Sequence, residues 1–180
     1  MPPRMVSTPE EARSLLVELG APPRLVTHGF LVLEAADALL SAVAAMAVKV
    51  DEPLVRAGAM LHDVGKIAFT AELASPGNEH ETAGQALLLE RGIDPRVARH
   101  CVAHARWATM SPSLEELLVA LADALWKGVR RQALEERVVD EIARHLGADR
   151  WEIFVSLDST FEAIAEGGGE RLARSSTSGA

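Results

Sequence analysis

The chain has 180 residues, 48% of them hydrophobic and 24% charged, the proportions of an ordinary soluble globule of one domain. Its formal net charge of −8 argues against unaided binding to nucleic acid or to an anionic membrane. A single cysteine, Cys101, rules out an intramolecular disulfide framework and fits a reducing compartment.

The N-terminal run MPPRMVSTPEE lacks the apolar core of a signal peptide. Thr8-Pro9-Glu10-Glu11 then offers an N-cap, a proline at the first helical position and a capping-box carboxylate, which starts a helix ending near Gly20. Ala21-Pro22-Pro23 turns the chain into a long helix over about 24–48. Its most apolar stretch, 30–48, is interrupted by Glu34 and Asp37, which reads against a membrane span. Asp51-Glu52-Pro53 opens a helix that runs to His62 or Asp63 and is stopped by Gly65. Asn78-Glu79-His80-Glu81 forms a second capping box, and Gly92 closes that helix.

Asp94-Pro95 begins the helix that carries His100 and His104, and Ser113-Leu114-Glu115-Glu116 begins one through about Arg130. Two more are expected over about 132–146, ended by Gly147, and about 149–166. No run alternates with the period of a strand for long enough to build a sheet. The expectation is an all-α, single-domain bundle of about seven to eight helices: a 1–23 segment with one short helix, a helical domain over 24–166, and a disordered Gly- and Ser-rich tail over 167–180.

Several polar residues stand where a core is expected. His28 shares a helical face with Val32, Ala35 and Leu39, so it is either a hydrogen-bonded core imidazole or a ligand. Asp123 is the only charged side chain in LLVALADALW. It either has a buried cationic or N–H partner or lies on an outer face with Glu116, Lys127 and Arg130. His104 is the polar residue in CVAHARWA, and His100, one turn earlier, either joins it on one ion or faces solvent beside Arg99. His80 shares a face with Gly84 and Leu87, or is simply a first-turn polar residue. His145, next to a helix C-terminus, is explained by the helix dipole.

In AGAMLHDVGKIAF, neighbouring helical side chains diverge by about 100°, so His62 and Asp63 converge only at a helix end, where Gly65 is expected to supply the turn. A His-Asp pair alone is a weak signal. Imidazoles and carboxylates on several inward helical faces are natural donors for Fe, Mn, Ni, Co or Zn.

The order of His28 in RLVTHGFLVLEAADALL, His62-Asp63 in GAMLHDVGKI and Asp123 in LADALWKG resembles the HD superfamily of metal-dependent phosphohydrolases. The resemblance spans about 24–130 and implies that His28, His62, Asp63 and Asp123 bind a divalent metal in a helical bundle. NEHETAGQALLLERGIDPRVARHCVAHA is similar to a six-ligand subgroup, which implies further ligands at His80 and His104, a second ion and a bridging Asp63. That subgroup includes bacterial dinucleoside polyphosphate hydrolases and signalling-nucleotide phosphodiesterases. The latter carry a Gly-Tyr-Pro continuation that His104-Ala105-Arg106-Trp107-Ala108 does not match.

The implied reaction is hydrolysis of a phosphate ester or anhydride, with a metal-acidified water as nucleophile. Asp63 and Lys66 are the catalytic candidates, and Lys66, Arg106 and Lys127 are candidates for binding the substrate's negative charge. The expected partner is a small phosphorylated substrate, a nucleotide, with no nucleic acid and no membrane, in the cytoplasm. One or two ions and their identity stay open, as does oligomeric state. The same ligands also serve HD-type di-iron oxygenases that cleave C–P or C–C bonds, and a non-catalytic metal-containing binding module is the third reading. Trp107 and Trp126 either stack a base or belong to the core.

Overall fold

Apolar periodicity and capping divide the chain into helices joined by short turns, and a computed structural model describes residues 2–177. In chain order these are α1 (Pro9–Glu18), α2 (Pro23–Ala45), α3 (Glu52–Leu61), 3₁₀ turns at Val64–Ile67 and Thr70–Leu73, then α4 (Glu79–Glu90) and α5 (Pro95–Arg106). α6 (Leu114–Leu125), α7 (Gln132–Leu146), α8 (Arg150–Glu166) and α9 (Gly168–Thr177) follow. Among the described residues there is no β-sheet, only an isolated bridge between Arg4 and Ile93.

α6 is the hub. Leu117 to Ala122 are all buried, as expected of a helix apolar on every side. It packs against α2, α3, α5 and α7, while α4 lies on α5 and on the first 3₁₀ turn. The capping box predicted at Thr8 forms, and Ser113 makes another with Glu116. α2 is long and apolar enough to cross a membrane by length and composition alone, but half of its most apolar window is buried inside the bundle. Its Glu34 takes ion pairs from Arg171 and Arg174.

Four expectations change. α2 ends at Ala45, followed by Ala47 at φ 59°, and α6 ends at Leu125 rather than near Arg130, with Gly128 at φ +82° turning the chain. The tail is helical from Gly168 to Thr177, and residues 178–180 lie outside the described residues. Composition misled here because one of the glycines serves packing: a Cβ on Gly168 would lie 2.3 Å from the Gly128 nitrogen. The buried Arg171 then fixes α9, donating to the Ile164 carbonyl (2.7 Å), the Trp126 carbonyl (3.2 Å) and Glu34 (3.1 Å). The capping box expected at Asn78 does not form, since the Asn78 side chain makes no cap hydrogen bond.

Candidate metal centre

α3 ends at Leu61. His62 still has helical angles (φ −55°, ψ −30°), whereas Asp63 has left the helix (φ −100°, ψ 9°). That change of backbone lets two adjacent side chains meet at one place. Gly65 is not the turn. A Cβ there would lie 1.9 Å from the His80 carbonyl oxygen and 2.6 Å from the Gly84 nitrogen, so glycine is needed for close approach to α4.

Asp63 is the centre of the arrangement. Its Oδ2 lies 3.1 Å from His28 Nε2 on α2 and 3.7 Å from His62 Nε2. Asp123 on α6 places Oδ1 3.4 Å from His62 Nε2 and 3.7 Å from His28 Nε2, and the two imidazole nitrogens are 3.4 Å apart. The other oxygen, Oδ1, faces His80 Nε2 on α4 at 3.1 Å and His104 Nε2 on α5 at 3.6 Å. Five of the six residues predicted as ligands line one pocket, with His62 buried directly behind them, and the six form overlapping donor sets. Asp63 is shared by the His28/His62 and His80/His104 sets, and a third set joins His62, His104 and Asp123.

Three imidazoles have their tautomers set by acceptors behind them. His62 Nδ1 donates to the Ala59 carbonyl (2.9 Å), His104 Nδ1 to the His100 carbonyl (3.1 Å), and His80 Nδ1 to the Glu72 carboxylate. Each thus presents a bare Nε2 to the pocket in its neutral form. Donors bound to one divalent ion at about 2.1 Å stand roughly 3.0–3.4 Å apart, close to what is found here. The buried His80 Nε2 has no hydrogen-bond partner. The donor set and its spacing therefore fit a divalent metal.

Electrostatics agree with a cation-seeking site. Burial raises the pKa of Asp63, but the charge of His62, with His28 and His80 facing its two oxygens, outweighs it and holds the carboxyl well below its usual range. Burial likewise opposes ionisation of Asp123, and His62 more than reverses this. Burial disfavours the charged form of His62, yet Asp63 and Asp123 raise its pKa. For His104 burial wins, helped by His62, and the pKa falls.

The pocket holds about 370 Å³ and reaches from Asp63 past Trp107 and Trp126. The Trp126 indole stands edge-on to His28 at 5.0 Å, so both tryptophans are walls of the site. Lys66 Nζ lies 2.6 Å from Asp63 Oδ2, and Lys127 also lines the pocket. Arg106 does not line it, because its Nε donates instead to the buried Glu81 (2.6 Å).

His100 is neither a solvent residue nor part of the donor sets. It is fully buried against Gly58, and burial, aided by the charge of His62, pushes its pKa down to about 3.

Arg24 and Arg131, not foreseen from sequence, also line the pocket. Arg24 is one helical turn before His28, and Lys127 one turn after Asp123, a spacing that carries this signal. Among the described residues no carboxylate pairs with Arg24, Lys127 or Arg131, whereas Arg56, Arg130 and Arg150 each hold one. Ser175 of α9 and the buried Glu81 complete the walls. Glu72, eight residues before His80, gave no sequence signal.

These features define a class: a helical bundle with a His/Asp cluster able to hold divalent metal at the floor of a cation-lined pocket. The chain belongs to the HD domain family, which matches residues 26–128 and whose members are typically metal-dependent hydrolases. It is 32% identical to an uncharacterized protein of Methanocaldococcus jannaschii over 77% of this chain and 86% of that protein. It is also 32% identical to a tRNA (cytidine(56)-2'-O)-methyltransferase of Thermoplasma volcanium, over 70% of this chain but only 38% of that longer protein. No solved structure matches.

Proposed function

We propose that the chain is a phosphohydrolase of the six-ligand HD type, acting on a small phosphorylated substrate of the nucleotide class, with kinship to dinucleoside polyphosphate hydrolases. The carrying observation is that the two oxygens of Asp63 face different imidazoles, His28 and His80, beneath cations that no carboxylate of the described residues neutralises. His28, His62, Asp63 and Asp123 would hold one ion, and Asp63, His80 and His104 a second. Bound there, divalent ions supply Lewis acidity toward phosphoryl oxygens and a water acid enough to attack at neutral pH.

The chain's own residues do the rest. Asp63 anchors both donor sets. Lys66, beside its Oδ2, neutralises charge that develops on the phosphoryl oxygens. Arg24, Lys127 and Arg131 hold the remaining oxygens at the pocket wall, and Trp107 and Trp126 flank an organic leaving group. A cytoplasmic setting without nucleic-acid or membrane partners belongs to the same reading, from the net charge of −8.

The test is metal analysis of protein purified without chelator, with phosphate release from a nucleotide panel measured with and without oxygen. About two ions per chain and oxygen-independent phosphate release are expected. Iron with oxygen-dependent turnover would move the protein to the oxygenase class, and absence of bound metal would overturn the reading. Within the same assay, Arg24→Ala combined with Lys127→Ala raises KM about tenfold and leaves kcat within about threefold.

A further inference from the structure

Glu72 belongs to none of the donor sets, yet it controls one of the donors. It sits in the second 3₁₀ turn, in the loop between the His62-Asp63 corner and α4. Its carboxylate accepts the backbone N–H of Glu79 (3.1 Å) and of His80 (3.2 Å), and also the Nδ1–H of His80. It therefore does two things at once. It satisfies the first-turn N–H groups of α4, the task that Asn78 leaves undone, and it fixes the imidazole of His80.

The loop is shaped around this carboxylate. A Cβ on Gly77 would lie 2.4 Å from Glu72 Cδ, so a side chain there would displace the carboxylate from its present place. Leu73 and Gly77, on either side of the fold, form part of the pocket wall.

An ionised carboxylate only accepts, so the proton it shares with His80 is the one on Nδ1. Nε2 of the neutral ring is then bare, and it faces Asp63 Oδ1, a second acceptor, at 3.1 Å. Two lone pairs so placed favour a positive charge between them, a metal ion or the proton that, against burial, Asp63 and Glu72 favour on His80. No hydrogen-bond donor of the described chain reaches this Nε2. Capture of a cation there and the grip of Glu72 on the far side of the ring therefore reinforce each other through a single imidazole.

We propose that Glu72 is a positioning residue that ties occupancy of the His80/His104 set to closure of the 68–78 loop over the pocket. This rests on the two-ion reading. Filling that set pulls electron density from His80, strengthens its Nδ1–H bond to Glu72 and fastens the loop. Releasing Glu72 frees the ring and empties the set, while the set built on α2, α3 and α6 is untouched.

The experiment compares wild type, Glu72→Ala, Glu72→Gln and His80→Ala titrated with Mn²⁺, reading ions bound per chain and amide exchange over 68–78. A third readout is the ¹⁵N shifts of the histidines in metal-free protein. Wild type takes two ions, and the second slows exchange in the loop. Glu72→Ala keeps the first ion, which certifies its fold, and binds the second about 10–100-fold more weakly. In that variant the His80 ring is a mixture of tautomers and the loop exchanges at the rate seen in His80→Ala. Glu72→Gln, whose amide oxygen still accepts from Nδ1, falls between the two. Two ions with unchanged affinity in Glu72→Ala, or an unchanged His80 tautomer, would overturn the role of Glu72 alone. A single ion in wild type would overturn the two-ion reading and the loop coupling with it.

Discussion

The two donor sets that share Asp63 are built by different means. The set of His28, His62 and Asp123 stands on α2, the end of α3 and α6, which pack directly on one another in the core. His62 is wholly buried and propped by a carbonyl of its own helix. The set of His80 and His104 stands on α4 and α5, and α4, packed on α5, is held toward Asp63 by two further features. One is the glycine contact of Gly65 with Gly84, and the other is the carboxylate of Glu72. One set is an outcome of core packing alone, whereas the other depends on a loop as well. Ion sites of equal donor chemistry can therefore differ in how easily they are lost.

The largest expected effect comes from the residue common to both. Asp63→Asn removes the shared charge, and phosphate release falls at least about 10³-fold with both ions lost together. Retention of one ion by this variant would mean that the two sets are more separate than their geometry implies.

Next is the contact that joins α4 to the corner. Gly65→Ala forces a methyl into the His80 carbonyl, and stability drops by about 3 kcal/mol or more, with Tm lower by roughly 6–12 °C. Thermal unfolding of metal-free protein measures this. A loss of less than about 1 kcal/mol would show that α4 can back away cheaply.

The smallest effect concerns α9, which walls the pocket with Ser175 and is tied to α2 through Glu34. Burial alone would raise the pKa of Glu34, but Arg174 and Arg171 bring it below the ordinary 4.5. The pairing therefore contributes fully above pH 4.5 and is lost as pH falls through the lower folded-state value. Amide protection in 168–177, corrected for the intrinsic exchange rate at each pH, should fall as pH drops below 4.5, ahead of global acid unfolding. Exchange that stays constant would assign the docking to the carbonyl bonds of Arg171 alone.

Much of this was legible in the chain because it is locally encoded. Capping boxes at Thr8 and Ser113, left-handed glycines at 20, 92 and 147, and apolar faces at helical spacing fix the helices before any tertiary contact forms. The six donor positions stood out for the same reason, as polar residues set in apolar helical surroundings. Lys66 and Lys127 followed from their nearness to those donors.

What only the tertiary structure decided depends on contacts between segments that sequence spacing does not relate. Glu72 reaches His80 because a loop folds back on itself, and Arg106 is drawn off the pocket by Glu81 on another helix. Gly65 and Gly168 read as breakers of helix, yet they are glycines because another backbone passes within reach of where a Cβ would be. The tail reads as disordered by composition, and it is ordered as α9 because the guanidinium of Arg171 finds two carbonyls and a carboxylate supplied by three other parts of the fold. Helices and their inward donors are properties of a few neighbouring residues. The supports that position those donors are properties of the packed chain.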